Sequence, residues 1–217
     1  MSAGTDADAT GDGRFARALA AIDAANAQDP NPDPIPDAPG GAGVPAGLAY
    51  GRRMTAWVER LKPDASQALR LAARAQHIRR WEIPRADYPE GRDGYLRWRT
   101  RLKRHHAKIA AAILQDAGYD AATIERVQAL LRKRGVKTDP ETQTLEDAAC
   151  LVFLETGLAE FARSHDPQKV VGILRKTWGK MSDAGRSAAL ELDLPDEARA
   201  LVAEALGEEK GSESFSA

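Results

Sequence analysis

The chain has 217 residues, 31 of them Lys or Arg and 32 Asp or Glu, so its formal net charge is −1. Its length suits one domain of ordinary size, and its one cysteine, Cys150, excludes an internal disulfide and indicates a reducing compartment. The polar N-terminus does not resemble a signal peptide, and no run approaches the ~18 apolar residues of a membrane span. We therefore expect a cytoplasmic protein without a membrane partner.

The composition predicts an all-α fold, because alanine is abundant, β-branched residues are sparse and no segment shows a strand pattern. Residues 1–12 are polar and acidic and predict a disordered N-terminal tail. Residues 13–207 predict a single globular multi-helix domain, and residues 208–217 predict a polar tail. Within the domain, residues 27–46 are dense in proline and glycine and predict a surface loop.

Apolar spacing and capping residues predict eight or so helices in chain order. Proline and glycine mark several of their ends, among them Pro84 and Gly118. A short helix capped by Ser182 or Asp183 precedes the last one. The other predicted helices cover residues 14–26, 47–61, 63–81, 95–117, 120–134, 145–163, 166–181 and 195–206.

One segment differs in charge from the rest of the chain. From Arg70 to Lys108 there are twelve Lys or Arg and four Asp or Glu, a local charge of +8. Because the whole chain carries −1, the remaining residues sum to −9. The same segment holds three of the four histidines. A cationic, histidine-rich segment in an acidic protein indicates an anionic partner or substrate.

The first candidate site lies near the end of the helix predicted over residues 63–81. His77 adjoins the row that Gln76 shares with apolar residues, and Arg80 lies one turn further on. We interpret His77 and Arg80 as facing a pocket that holds an anion. The alternative is a structural, partly buried histidine beside a solvated arginine.

The helix predicted from Tyr95 carries His105 and His106 on two overlapping apolar rows, and the sequence leaves open which of them faces inward. Arg99 shares the row of His106. A third row is purely cationic, and aligned cations can neutralise several phosphates. The alternative for this row is a solvated face. Its members are Arg97, Arg101, Arg104 and Lys108.

A carboxylate is predicted inside a central helix. Asp147 shares a face with Cys150, Leu151 and Leu154 in a stretch that is apolar on every side. A buried carboxylate must be paired, protonated or bound to a metal, because an isolated buried charge is too costly. Asp147 is therefore either half of a structural ion pair or a catalytic or metal-binding group.

Three helical segments, in this order, resemble the HD-domain phosphohydrolase superfamily. They are Ala72-Ala-Arg-Ala-Gln-His-Ile-Arg79, His106-Ala-Lys-Ile-Ala-Ala-Ala-Ile-Leu114 before Gly118, and Asp147-Ala-Ala-Cys-Leu151. The resemblance implies an HD-like helical fold. Gln76 and His77 stand where that superfamily has His and Asp, and Ala149 replaces an aspartate. The resemblance therefore implies a centre with one metal ion or none.

The chain is also similar, from Phe15 to Leu206, to the family called domain of unknown function 4202. That family implies no established activity. The phrases that carry the similarity are Arg53-Met-Thr-Ala-Trp57, Ala72-Ala-Arg-Ala-Gln-His-Ile-Arg-Arg-Trp-Glu82, Tyr95-Leu-Arg-Trp-Arg99, Thr144-Leu-Glu-Asp147, Cys150-Leu-Val-Phe-Leu-Glu155 and Lys176-Thr-Trp178.

The leading hypothesis is an enzyme, or a degenerate one, that is phosphohydrolase-like and acts on a phosphorylated small molecule such as a nucleotide. His77, His106 and Asp147 would be catalytic groups or ligands of one divalent metal ion, since histidine is the side chain whose unshifted pKa lies near neutrality. The alternatives are an RNA- or tRNA-binding module and a non-catalytic interaction scaffold, each using residues 70–108. The substrate- and anion-binding residues would be Gln76, Arg80, Trp81, Arg99 and Lys108, with Trp81 or Trp98 against a base.

Overall fold

The computed structural model describes residues 11–35 and 43–207, which form ten α-helices and no β-strand. The all-α prediction is confirmed. The predicted tails over residues 1–10 and 208–217, and loop residues 36–42, lie outside the described part. The helices are α1 Gly11–Asn26, α2 Ala46–Leu61, α3 Gln67–Arg74, α4 Gly91–Asp116, α5 Ala121–Leu131, α6 Pro140–Val152, α7 Leu158–Arg163, α8 Pro167–Trp178, α9 Asp183–Leu190 and α10 Asp196–Leu206.

The contacts divide the chain into two compact units, which meet in sequence between Ala148 and Ala149. The prediction of one domain over residues 13–207 stays a prediction. Among the described residues, no helix is both long enough and apolar enough to cross a bilayer.

Side-chain caps fix the start of four helices. Ser66, Asp120, Asp166 and Ser182 each accept a hydrogen bond from the backbone N–H three residues further on, at 2.8–3.2 Å. Such a bond satisfies one of the N–H groups that have no partner within the helix. The caps at Asp120, Asp166 and Ser182 are where the sequence predicts them. The third helix instead begins after Ser66 rather than at Pro63.

Several helices differ in length from their predictions. Helix α1 begins at Gly11, inside the predicted tail, with Asp12 in the first turn where the helix dipole favours a carboxylate. Helix α5 ends at Leu131 rather than residue 134, and Lys133 follows with a φ of 54°. The helix predicted over residues 145–163 begins earlier, at Pro140, and is interrupted by the π-helical turn Phe153–Gly157.

In the first unit, helix α3 is central and contacts α1, α2 and α5, while α4 packs on α1 and α5. The side chains between these helices are large and apolar. Leu69 and Leu71 of α3, Ile22 of α1, Met54 of α2 and Leu130 of α5 are all fully buried, at 0% exposure. Burial of each such side chain stabilises the fold by about 1.5–3 kcal/mol.

Three helices converge on the last carbonyl of α3. The backbone oxygen of Arg74 accepts a hydrogen bond from the Nδ2 of Asn26, the last residue of α1, at 3.2 Å. A Cβ atom on Gly51 of α2 would lie 2.7 Å from the same oxygen. Glycine at position 51 therefore lets α2 pass close to the end of α3, and the chain turns away from the helix at this point.

An arginine joins α5 to the beginning of α6. The Arg126 guanidinium forms ion pairs with Asp139 and, at 2.6 Å, with Glu141. Asp139 also accepts a hydrogen bond from the backbone N–H of Glu141 at 3.0 Å, so it caps α6 as well. Its hydrogen bond with Arg126 is the main reason that the pKa of Asp139 lies far below its usual value.

In the second unit, α8 packs on α7 and α10. Val170, Val171 and Leu174 of α8 are buried there, at 0–4% exposure. The unit contains an apolar cavity of about 10 Å³ between Leu174 and Leu206. That volume holds about one water molecule, so this cavity cannot take a small-molecule ligand.

Candidate functional site

The candidate site is built on the turns that follow α3. The sequence predicts a helix through Trp81, but α3 ends at Arg74 and the chain continues through turns to a short 3₁₀ helix at Arg80–Glu82. Backbone bonds between residues three apart, such as Arg80 N–H to the His77 carbonyl at 3.0 Å, hold these turns. Arg79 has a left-handed φ of 49°, which no α-helix can include.

His77 and His106 lie side by side in this region. Their ring centroids are 5.9 Å apart, and the other face of the His77 ring stacks on Tyr50 at 3.8 Å with an interplanar angle of 12°. The Nη1 of Arg80 lies 3.4 Å from the Nε2 of His77. The turns after α3 and the middle of α4 therefore place two imidazoles and a guanidinium together, and Tyr50 adds a ring from α2.

The surroundings keep both imidazoles neutral at pH 7. Burial, and after it the positive charge of Arg80, lower the pKa of His106 to about 3. The pKa of His77 lies well below its usual range, mainly because the ring is buried. Four neighbouring residues lower it further, in the order Arg80, His106, Arg99 and Lys133. A neutral Nε2 on His77 can accept a hydrogen bond from Arg80, which agrees with their 3.4 Å separation.

His106 has one satisfied ring nitrogen and one that has no partner. It is 4% exposed, and one ring N–H donates to the backbone carbonyl of Gln76. Its Nε2 is buried and has no hydrogen-bond partner among the described residues, so the donor is Nδ1. The neutral ring therefore presents Nε2 as an acceptor. The Oε1 of Gln76 is likewise buried without a partner in the described part of the chain.

Arg80 and Arg99 supply positive charge at the site. Arg80 lies over the Trp98 ring at 4.6 Å, and Arg99 lies 5.9 Å from the Tyr95 centroid. Within residues 11–35 and 43–207, neither arginine forms an ion pair with a carboxylate. Burial lowers the pKa of Arg80, and the nearby charge of Arg99 lowers it further. Both side chains are partly exposed, so solvent reaches them.

His105 has a different role from His106. Its Nε2 lies 3.2 Å from the Glu82 carboxylate and 3.2 Å from the Arg79 carbonyl. These contacts tie α4 to the chain after α3. Of the two adjacent histidines that the sequence could not separate, His106 is therefore the one that faces His77.

Asp147 and its neighbour have partners within their own unit. Asp147 is 3% exposed and accepts a hydrogen bond from the Nε2 of Gln143, one turn earlier, at 2.9 Å. Glu146 forms a buried ion pair with Lys133. The described residues contain no group of three His, Cys, Asp or Glu side chains placed to hold a metal ion. A catalytic or metal-binding role for His77, His106 and Asp147 stays a prediction.

Two predicted anion-binding residues lie away from the His77–Arg80 pair. The Trp81 ring packs against Gly47 at the start of α2, where a Cβ on the glycine would lie 3.3 Å from Cζ3. Lys108 is exposed and follows Arg99 by nine residues, which places it on the opposite side of α4. Lys108 and Arg99 therefore lie on different sides of α4, and an anion-binding role for Lys108 stays a prediction.

The sequence did not single out Tyr50 and Lys133 as site residues. Tyr50 lies near the start of α2, in a stretch where the sequence predicts no site residue. Lys133 lies in a turn after α5, where no helical row connects it to His77. Its charge nevertheless lowers the pKa of His77, which shows that it lies close to the site.

The model of a known protein family matches the chain over residues 16–202, and its description is Domain of unknown function (DUF4202). The chain belongs to the DUF4202 family. No curated protein and no solved structure matches it. For this DUF4202 protein, the geometry around His77, Arg80 and His106 is therefore the main indication of a function.

Proposed function

We propose that this DUF4202 protein binds the phosphoryl group of a phosphorylated small molecule, such as a nucleotide, between Arg80 and Arg99. The observation that carries the proposal is the partly buried Arg80 guanidinium. It has no carboxylate partner among the described residues, and burial lowers its pKa. The adjacent imidazoles of His77 and His106 are neutral and do not balance its charge.

A phosphate would supply the negative charge that could offset the charge of the Arg80 guanidinium. Removing a charge from water is unfavourable unless an opposite charge is near. The protein keeps Arg80 in place by packing it over Trp98 at 4.6 Å, without a carboxylate from the described chain. A phosphate can accept two parallel N–H bonds from one guanidinium and an additional bond from a second arginine. Arg99 supports the role of that second arginine, because it lies 5.9 Å from the Tyr95 ring, which is itself 5.8 Å from the Trp98 ring that Arg80 covers.

The remaining polar atoms favour a ligand that also carries hydroxyl groups. The Nε2 of His106 and the Oε1 of Gln76 are buried acceptors with no donor in the described chain. A buried acceptor without a partner costs about 1–3 kcal/mol. Inorganic phosphate at neutral pH carries its O–H donors on the phosphoryl group itself, whereas a sugar phosphate or nucleotide also carries hydroxyl donors beyond that group. We therefore favour a phosphorylated sugar or nucleotide over inorganic phosphate alone.

Thermal unfolding with added ligands tests this proposal. The probes are inorganic phosphate, pyrophosphate, ribose 5-phosphate and ADP. A ligand at a hundred times its Kd stabilises the folded state by about 2.7 kcal/mol. For a chain of this size that corresponds to a Tm rise of about 5–10 °C. Arg80→Met should abolish the rise. Arg52→Met should retain it, because Arg52 is an exposed α2 arginine two positions from Tyr50 on the far side of the helix.

The outcomes separate the proposal from simpler explanations. If every probe leaves the Tm of the wild-type protein unchanged at millimolar concentration, the proposal is wrong. If Arg80→Met and Arg52→Met lose the rise equally, the anions act on overall charge and not at this site. A larger rise with ribose 5-phosphate or ADP than with inorganic phosphate supports the assignment of His106 as an acceptor.

Phosphohydrolase activity is the second candidate. It is favoured by the two neutral imidazoles 5.9 Å apart beside Arg80, since a neutral imidazole can take a proton from an attacking water. A pKa of about 3 makes His106 a weak base, so the site supports binding better than proton transfer. Because no group of three metal-binding side chains is assembled in the described residues, we derive no step through a divalent ion.

Phosphate release from ADP and ribose 5-phosphate, with and without added Mg²⁺ or Mn²⁺, tests this second candidate. The informative variants are His106→Gln and Asp147→Asn. His165→Gln is the matched control, because His165 belongs to the second unit and hydrogen-bonds within α7 and the residues after it. Turnover that survives His106→Gln unchanged would remove His106 from any catalytic role.

A further inference from the structure

The outer side of α4 carries a second cationic feature, which we call the α4 cationic row. All four of its side chains are exposed. At about 100° per residue they fall within about 60° of the helix circumference, and they extend over about 16 Å of its axis. Between Asp93 and Asp116 the helix contains no acidic residue. The row consists of Arg97, Arg101, Arg104 and Lys108.

The charges of the row are not neutralised by the protein itself. In the described residues, none of the four side chains forms an ion pair or a hydrogen bond with a carboxylate. Exposed arginines elsewhere in the described chain do form such pairs, including Arg163 with Glu160 at 2.6 Å. Four aligned cations without an interspersed carboxylate produce a strong local positive potential.

The row is also held rigidly. Helix α4 has 26 residues, and its opposite side buries Leu102, His106 and Leu114 at 0–4% exposure. The backbone under the four cations is therefore fixed by packing. Arg99, which belongs to the anion site, is on the other side of the helix from Lys108. The row and the anion site are consequently two separate features of one helix.

We propose that the α4 cationic row binds the sugar-phosphate backbone of a single-stranded nucleic acid. A nucleic-acid backbone presents one negative charge per nucleotide at regular intervals, which a regular row of cations can follow. Because the row occupies a narrow arc of one helix, its side chains reach one strand. A helix that reads a duplex from within a groove needs cations on both of its flanks. Three of the four residues are arginines, whose forked guanidinium suits phosphate.

The salt dependence of binding gives this proposal a quantitative test. Fluorescence anisotropy would measure the affinity of the protein for labelled twelve-nucleotide oligo(U) and oligo(dT) between 50 and 200 mM NaCl. Four phosphate contacts predict a slope of log K against log salt of about −2.8. Affinity should therefore fall about 50-fold across that range. RNA and DNA oligomers distinguish the two sources of the same backbone chemistry.

Two double variants with the same loss of charge test whether the phosphate contacts are made by the α4 cationic row. Arg101→Gln/Arg104→Gln removes two cations from the row and should reduce the slope to about −1.4. Arg52→Gln/Lys169→Gln removes two exposed cations from other helices and should keep the slope of the wild-type protein. Both double variants lose the same charge, so a difference between them reflects position. Far-UV circular dichroism checks that each variant is folded.

Three results would overturn the proposal. The first is no binding of either oligomer at 50 mM NaCl. The second is equal loss of affinity in both double variants, which would mean that overall charge attracts the oligomer. The third is tighter binding of poly-glutamate or of a duplex of the same length, which would assign the row to an acidic protein or to double-stranded nucleic acid. None of these results bears on Arg80, so the phosphoryl-binding proposal is tested independently.

Discussion

Replacing Arg80 by methionine should remove phosphate binding while costing little stability. A buried arginine that serves structure is paired, and removing one partner of a buried pair costs about 3–5 kcal/mol. Arg80 has no carboxylate partner among the described residues, and burial lowers its pKa. Keeping this arginine charged in the folded protein therefore costs desolvation free energy that no carboxylate offsets. Methionine replaces the aliphatic part of the arginine side chain and carries no charge, so it removes that cost and keeps the packing of that part.

The expected change in the free energy of unfolding follows from the contacts that Arg80 makes. It lies 4.6 Å from the Trp98 ring, and a cation–π contact contributes about 0.5–2 kcal/mol. It also donates to the Nε2 of His77 over a long 3.4 Å, which is a weak hydrogen bond. The loss of these contacts opposes the gain from removing the charge. We therefore expect Arg80→Met to change the free energy of unfolding by no more than about 1 kcal/mol.

Urea unfolding followed by tryptophan fluorescence measures this change, with ligand-dependent Tm shifts recorded on the same samples. A variant that unfolds within about 1 kcal/mol of the wild-type protein but no longer responds to ADP agrees with a binding role. A loss of about 3 kcal/mol or more would show that Arg80 holds the fold together, and the reasoning from an unpaired charge would be refuted.

Three further predictions concern residues of the first unit, and one of them has a control substitution in the second unit. Lys133→Met should cost about 3–5 kcal/mol in urea unfolding because it takes the cation away from the buried Glu146 carboxylate, and the additional change Glu146→Leu should recover most of that loss. Gly51→Ala should lower the Tm because its Cβ would lie 2.7 Å from a backbone oxygen, whereas Gly172→Ala, with no atom within 4 Å, should not. The folded-state pKa of Asp139 is lowered, so its contribution to stability is present above about pH 4 and lost as the pH falls; Asp139→Asn should flatten the acid limb of a pH–stability curve. A variant as pH-sensitive as the wild-type protein would contradict the last prediction.

Three of the helix starts were predictable because their causes are local. Asp120, Asp166 and Ser182 each accept a backbone N–H three residues later, a pattern that can be recognised within a few residues of sequence. The π-helical turn was not predictable from hydrophobic spacing. There the Thr156 hydroxyl donates to the Val152 carbonyl at 2.6 Å and competes with the backbone of its own helix.

The turns after α3 could not be predicted for a different reason. The end of that helix is set by Asn26, 48 residues away in sequence, which bonds to the Arg74 carbonyl, and by the close approach of α2 at Gly51. The resemblance to the HD-domain pattern, and not helical spacing, suggested that His77 lies near His106. Spacing did separate the row of Arg99 from the row of Lys108 on α4. It missed Tyr50, because the stacking of Tyr50 on His77 depends on how α2 packs.

The most direct test of the account is the response of the imidazole nitrogens to a ligand. Long-range ¹H–¹⁵N NMR spectra of the protein would be recorded with and without ADP. The account predicts that the ring signals of His77 and His106 shift, with His106 Nε2 remaining unprotonated as it becomes an acceptor, and that those of His165 do not. Binding of ADP that leaves both His77 and His106 unshifted would contradict a phosphoryl site at this place.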